Sequence, residues 1–376
     1  MNKEDARKLF PHIKKGITYL NHAATGPFST CLVNEMNEYF RTRSEEKIDD
    51  YPTFVKISEE TKELLTSHMN TDSNRIAFLD NTTNGLNLLA QGLHWERGDE
   101  IILNNLEFPA NIYPFMNLEK KGVKTVIVKS HDGIVSAEDI IEKITSKTRL
   151  ISVSMVQFLS GYRIDLKKLG SECKRLGVIL SVDAIQGLGA FRLDVQESNI
   201  DFVSCGTQKW MLGLQGLSFI YVSKDLQNKI DPVYTGWLGV NDGWNLLDYN
   251  LSLRESAERF QPGSLNSAGI YALNASLKLF RDFGLDKVEE NVLSNTKLLS
   301  SELKRIGAEP LLSGSREKYL SGIVSFPHKN AYSILEVLQE KKIEAAVREG
   351  LIRISPHFYN NADDIGRLIE GLKFLI

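Results

Sequence analysis

Val182-Asp183-Ala184-Ile185-Gln186 and, further on, Thr207-Gln208-Lys209-Trp210 decide how the chain reads. Asp183 follows Gly177-Val-Ile-Leu-Ser-Val182, a run short and β-branched enough for a buried strand. Lys209 follows a second apolar run, Asp201-Phe-Val-Ser-Cys205. A carboxylate at the mouth of a buried strand is costly without a partner. An acid and a lysine at the ends of neighbouring strands can form a structural ion pair. They can also hold a pyridoxal phosphate (PLP) ring, the lysine as Schiff base and the acid keeping the pyridine nitrogen protonated. Two residues alone leave both readings open.

The totals narrow the class. A chain of 376 residues has material for two or three domains. A net charge of −3 gives no reason to expect nucleic acid or a membrane surface as partner. No run approaches the roughly 18 apolar residues of a membrane span, and no basic segment leads into an apolar signal-like stretch. Cys31, Cys173 and Cys205 are odd in number and scattered, with neither disulfide nor metal spacing. A reducing cytoplasm fits them.

Upstream, strands and helices alternate. Arg75-Ile-Ala-Phe-Leu79 reads as a strand, Asp80-Asn-Thr-Thr-Asn-Gly85 as a polar turn, and Leu86, Leu88, Leu89 and Leu93 mark a helix. Such a turn brings hydroxyls and free N–H groups to a helix N-terminus, suited to phosphate or to an ordinary cap. Strands are expected at 100–103, 123–129 and 150–156, helices at 136–146 and Leu166–Leu176, and a helix-like charged stretch over 29–70. The alternation over 75–225 predicts an α/β fold with a mainly parallel, doubly wound sheet, whose ligands bind beyond the carboxyl ends of the strands. Thr82, Thr83, Phe108, Gln157, Asp183, Gln186 and Lys209 all follow strand-like runs. That coincidence favours a ligand over a lone ion pair. No Gly-x-Gly-x-x-Gly or Walker pattern follows the first strand, which counts against a nucleotide.

Beyond 225 the alternation weakens. Residues 225–265 are loop-rich, 265–283 form a long helix, and the remainder reads as a smaller α+β unit with strands near 322–326 and 351–355, a helix near 330–341 and a terminal helix from about 362. The expected division is an N-terminal segment at 1–20 packing with the small domain, a large domain at 21–265, a connecting helix at 266–283 and a small domain at 284–376.

Ser181-Val-Asp-Ala-Ile-Gln186 and Gly206-Thr-Gln-Lys-Trp210, in this order and spacing, resemble the class V aminotransferase family of fold-type I PLP enzymes, which includes cysteine desulfurases, selenocysteine lyases, kynureninase and isopenicillin N epimerase. The likeness runs from Tyr19-Leu-Asn-His-Ala-Ala24 to the segment around Arg353. It implies a PLP enzyme whose Lys209 makes the Schiff base and shuttles the Cα proton. Asp183 would pair with the pyridine nitrogen, Gln186 with the ring's phenolic oxygen, and Thr82 and Thr83 with the phosphate. Gln208 stands where relatives often carry a phosphate-binding His or Tyr, and Phe108 where many desulfurases stack a histidine on the ring. Arg259-Phe-Gln-Pro-Gly-Ser264 resembles the segment whose hydroxyl reaches the other protomer's phosphate, implying a homodimer with shared sites. Arg353 matches the arginine that grips the substrate α-carboxylate. Asn21 and His22 are further substrate-side candidates, although His22 taken alone reads first as a loop histidine.

One departure bears on the reaction. Desulfurases carry a nucleophilic cysteine on a loop between two C-terminal arginines, whereas Arg348-Glu349-Gly350-Leu351-Ile352-Arg353 has neither loop nor cysteine. The expected function is therefore an aminotransferase or lyase acting on an amino acid or other carboxylated amine. An epimerase-like reaction, or C–S cleavage without a persulfide cysteine, are the alternatives. A non-catalytic binding protein of the same fold would lack the lysine or the acid, and both are present.

Overall fold

A computed structural model describes residues 1–376. Its strands are β1 (Thr18–Tyr19), β2 (Ile76–Leu79), β3 (Glu100–Asn104), β4 (Lys124–Val128), β5 (Thr148–Ser154), β6 (Ile179–Asp183), β7 (Phe202–Gly206), β8 (Ser218–Val222), β9 (Val324–Pro327), β10 (Ile343–Glu344), β11 (Ala346–Arg348) and β12 (Leu351–Ile354). Strands β2 to β8 form one seven-stranded sheet in the order β2-β8-β7-β6-β5-β3-β4. β8 runs antiparallel to both neighbours, and the pairs from β7 through β4 are parallel. Every residue of β6, β7 and β8 is buried, as expected for a sheet covered on both faces. The strand order reverses between β3 and β5, which opens a crevice at their carboxyl ends.

Local chemistry fixes the helices that hold these strand ends. Leu166–Leu176 forms as expected: Asp165 accepts from Lys168 N, Gly177 ends the helix in the left-handed region at φ 70°, and Leu166, Leu169 and Cys173 face the core. The stretch 29–70 is two helices, Thr30–Glu45 and Tyr51–Met69. Asp50 caps the second and Pro52 occupies its first turn, where a missing N–H is harmless, so the chain restarts there. The helix expected over 136–146 shrinks to Ala137–Ile141. A 21-residue helix, Leu285–Arg305, opens the C-terminal α+β unit.

A second, antiparallel sheet, β11-β12-β9, lies in the C-terminal part with its own hydrophobic cluster. That cluster includes Leu20, and β1 pairs in parallel with β10. The β11–β12 turn consists of Glu349 (φ 48°) and Gly350 (φ 76°), the two-residue pattern of a type I′ hairpin. No helix is long and apolar enough to cross a membrane.

Candidate active site

Asp183 ends β6, with Ser154 of β5 and Ser204 of β7 as its register partners. It is 2% exposed, and its carboxyl accepts one hydrogen bond, from Ile185 N at 3.0 Å. Burial pushes its pKa up to about 7; the Glu107 charge adds to this, while the Ile185 N–H and the Lys209 charge oppose it. Lys209 lies in the turn after β7. Burial brings its amine down to about 8, against the attraction of Asp183 and with help from the Arg353 and Arg348 charges. The backbone around it is pinned: Gly26 N donates to Gln208 O at 2.8 Å, and the His357 ring donates to Trp210 O at 2.8 Å. The Lys209 amine is 5.7 Å from the centre of the Phe108 ring, which meets Phe158 edge-on at 5.4 Å.

Thr82 starts the helix Thr82–Gly92, capped by Asn81. A Cβ on Gly85 would collide with Ser204, so glycine lets this helix lie against β7, and Ser204 Oγ donates to Thr82 O at 2.9 Å. Thr82 is thereby held beside Gly206. A Cβ on Gly206 would stand 2.6 Å from Gln208 Oε1, 3.0 Å from Ile185 Cδ1 and 3.1 Å from Thr82 Oγ1. The Thr82 hydroxyl is buried without a partner. An unsatisfied hydroxyl at a helix N-terminus, beside the exposed Thr83, suits an anion such as a phosphate.

Gln186 is tied on both sides: Nε2 donates to Ala23 O at 3.0 Å and Oε1 accepts from Trp210 Nε1 at 2.9 Å. One Nε2 hydrogen remains for a ligand oxygen. His22 departs from its expectation as a substrate contact. Its ring is fully buried, donating from Nδ1 to Ser355 O and accepting at Nε2 from the Tyr359 hydroxyl, both at 2.8 Å. No nitrogen is left for a substrate. Asn21 bridges to Ser355 through its backbone and keeps a buried, unpartnered Oδ1. Ser264 is exposed and lines a groove of about 400 Å³ with Tyr39, Arg43 and Tyr271. Cys205 is fully buried on β7, and burial raises its thiol well above the ordinary value.

Arg353 comes from the small sheet. It is 2% exposed, donates from one terminal nitrogen to Phe158 O at 2.8 Å, leaves Nε unpartnered, and has no carboxylate within ion-pair distance. Burial, then the Arg348 charge, lowers its pKa to about 10. Paired Ala346 and Arg353 share a face of the β11–β12 hairpin, and Arg348, two residues from Ala346, shares it too. Glu107, in the turn after β3, is the site residue the sequence reading missed. It is a buried acid between Asn104 and Asn111, and that polar clustering in a loop following a strand was the available signal.

A lysine amine lowered toward neutrality, a buried acid on the adjacent strand end and an empty-handed hydroxyl at a helix N-terminus, on a doubly wound sheet, define a Schiff-base cofactor enzyme. The chain belongs to the class V aminotransferase family, whose sequence pattern it matches over residues 18–368, and like that family it is a PLP-dependent enzyme. A "Probable cysteine desulfurase" of Methanothermobacter thermautotrophicus is 27% identical, covering 99% of this chain and 98% of its own. The "Uncharacterized aminotransferase YcbU" of Bacillus subtilis is 25% identical over 98% of this chain and 97% of its own. Among solved structures, a cysteine desulfurase from Thermococcus onnurineus superposes with a TM-score of 0.89 at 23% identity, covering 99% and 98% of the two chains. The cystine C-S lyase C-DES superposes with 0.89 at 22%, covering 97% and 99%. These two establish likeness of fold.

Proposed function

We propose that this enzyme acts on an amino acid, as an aminotransferase or a lyase, with the substrate carboxylate docked on Arg353. The observation that carries this is Arg353 itself. A buried guanidinium with no anion is unfavourable, and it is linked to Lys209 by the contacts of Phe158 and Phe108, its charge acting on the Lys209 amine. A ligand carboxylate supplies the missing charge in a bidentate geometry.

When bound, PLP supplies an electron sink for bonds at the substrate α-carbon. Thr82, Thr83 and the N–H groups of their helix would hold its phosphate, with Gln208 beside them. Asp183 would face the pyridine nitrogen, whose positive charge keeps the carboxylate ionised despite its burial. Gln186 would donate its remaining N–H to the ring oxygen, and Phe108 would offer its face. Lys209, neutral above a pKa of about 8, would take a proton at the α-carbon and return it.

Ser264 projects from this protomer into solvent, which supports a homodimer whose partner's phosphate it reaches. We read residues 21–265 as the large domain, 266–283 as connecting helix, 284–376 as small domain and 1–20 as a segment joined to it, supported by the β1–β10 pairing. Three free cysteines support a cytoplasmic setting.

The names of several relatives favour a second reading, C–S cleavage of a sulfur amino acid. The two-residue turn at Glu349–Gly350 holds no cysteine, so the sulfur would leave without a protein persulfide. Absorbance of the holoenzyme during an amino-acid screen, with and without a keto-acid acceptor, tests both. Spectral change with carboxylated amines and keto-acid-dependent return indicate transamination; released keto acid and sulfide indicate C–S cleavage. Silence toward every carboxylated amine would refute the proposal.

A further inference from the structure

Glu107 is 7% exposed and takes hydrogen bonds from five donors. One oxygen accepts from Asn104 Nδ2 at 2.6 Å, Ser154 N at 2.9 Å and Gln157 Nε2 at 3.1 Å; the other accepts from Asn111 Nδ2 at 3.0 Å and from the Ser154 hydroxyl. All five contacts are donations to its two oxygens, the pattern a carboxylate accepts. No lysine, arginine or histidine lies within ion-pair distance of it. Tying the turn after β3 to the end of β5 requires no charge, and a buried, uncompensated anion is expensive. The charge therefore calls for a use beyond packing.

That use is visible in Gln157. A carboxylate cannot donate, so Glu107 compels the Gln157 amide to present Nε2 to it. Oε1 must then point the other way, and it is buried with no protein partner. Two strand-end neighbours locate it. Ser154, which Glu107 grips by backbone and side chain, is the register partner of Asp183, and Phe158 carries the carbonyl that holds Arg353. Gln157 thus lies in the segment between the strand end beside Asp183 and the residue whose carbonyl holds Arg353.

We infer that Glu107 is a positioning residue, which locks the Gln157 amide so that Oε1 faces the cleft as an acceptor for an N–H or O–H of the bound ligand. This rests on the amino-acid reading above, in that the ligand must carry such a donor near its carboxylate. The Glu107 charge acts in the same place, favouring the proton on neighbouring groups of the cleft, Asp183 among them.

The test uses the holoenzyme with Glu107→Gln, Gln157→Glu and the double variant. In Glu107→Gln the 107 side chain can accept or donate, so the Gln157 amide is released. The Michaelis constant should rise about tenfold, the value of one hydrogen bond of ordinary strength. The pH midpoint of the visible absorbance should fall, because a negative charge has been removed from beside the chromophore. Gln157→Glu alone sets two carboxylates against each other and should be worse. The double variant restores a donor at 107 facing an acceptor at 157, with a free oxygen toward the cleft, and should recover most of the Michaelis constant. Thermal destabilisation with an unmoved absorbance midpoint would overturn the inference, as would a double variant no better than Gln157→Glu. The absorbance titration needs no substrate. A wild-type enzyme that turns over no amino acid would sink the functional proposal while this arm still reports on Glu107.

Discussion

The Lys209 amine stands 5.7 Å from the centre of the Phe108 ring, and Phe108 is 47% exposed. A flat group joined to Lys209 has this face to lie against. Phe108→Ala should weaken PLP retention about two- to twelvefold, from the 0.5–1.5 kcal/mol typical of aromatic stacking. Phe108→His should keep most of it. Dialysis followed by absorbance measures the retained cofactor, and retention unchanged in the alanine variant would exclude stacking.

Asp183 makes the apoprotein's stability depend on pH. Its folded pKa of about 7 stands above the roughly 3.9 of an unfolded aspartate. The folded state holds this proton more tightly, so the site's contribution is complete below the unfolded value and is lost as pH rises through about 7. The loss should reach on the order of 4 kcal/mol. The depressed Lys209 value acts in the separate window above about 8, where stability is regained as pH rises. Denaturant unfolding of apoprotein near pH 5 and near pH 8 should show a steeper loss for wild type than for Asp183→Asn. Identical slopes would mean that Asp183 does not titrate in this way. Bound PLP should shrink the difference, since a cationic ring nitrogen favours the ionised acid.

Gly206 is a position where one methyl group separates fold from cofactor. The new Cβ would crowd Gln208 Oε1 at 2.6 Å and Thr82 Oγ1 at 3.1 Å, and the Gln208 end can swing aside. Gly206→Ala should therefore fold, with little change in thermal midpoint, yet bind PLP about tenfold or more weakly through lost contacts to a charged group. Fluorescence titration of the apoprotein with PLP reads this directly. Full affinity would place the phosphate elsewhere.

Ser264 separates a shared site from a private one. Sedimentation should give twice the 42.4 kDa chain mass at micromolar protein. Lys209→Ala and Ser264→Tyr should each be inactive. Mixed and re-equilibrated, they should recover about a quarter of the wild-type sites, because half the dimers are hybrid and each hybrid has one intact site. An active monomer, or full activity in Ser264→Tyr, would refute sharing.

What could be read from sequence follows from how local each determinant is. Strand ends were legible because a buried parallel strand is a short apolar run and the next polar residue marks the crevice; Asp183, Thr82 and Lys209 were singled out as candidates that way, and each stands at or just after a strand end. Leu166–Leu176 was legible because its cap, its apolar stripe and its terminal glycine are all local. His22 was misplaced because its burial depends on Ser355 and Tyr359, more than three hundred residues away. Glu107 was missed for the same reason: a charged residue in a loop looks solvated until Ser154 and Gln157 close over it. Gln186 gave its position but not its bonds to Ala23 and Trp210, which need the N-terminal segment folded across the sheet.

Arg353 offers the sharpest division between a group kept for the fold and one kept for the substrate. In a structural ion pair, removing one partner strands the other and destabilises strongly. Arg353 has no anionic partner to strand: its one bond is to Phe158 O, its Nε is idle, and burial has lowered its pKa to about 10. Arg353→Met should therefore leave the apoprotein as stable as wild type or more so, because an uncompensated buried cation is replaced by an apolar chain. The same change should cost about 2–5 kcal/mol in kcat/KM for an amino acid, the range for losing one side of a desolvated charge pair. Arg353→Lys should restore only part, since an ammonium lacks the planar fork. Comparison of an amino acid with its decarboxylated amine then isolates the interaction. Wild type should favour the acid strongly, and the methionine variant should bring the two substrates close together. Equal losses on both substrates, or a methionine variant that unfolds at lower denaturant, would assign Arg353 to the fold and leave the substrate carboxylate without its proposed anchor.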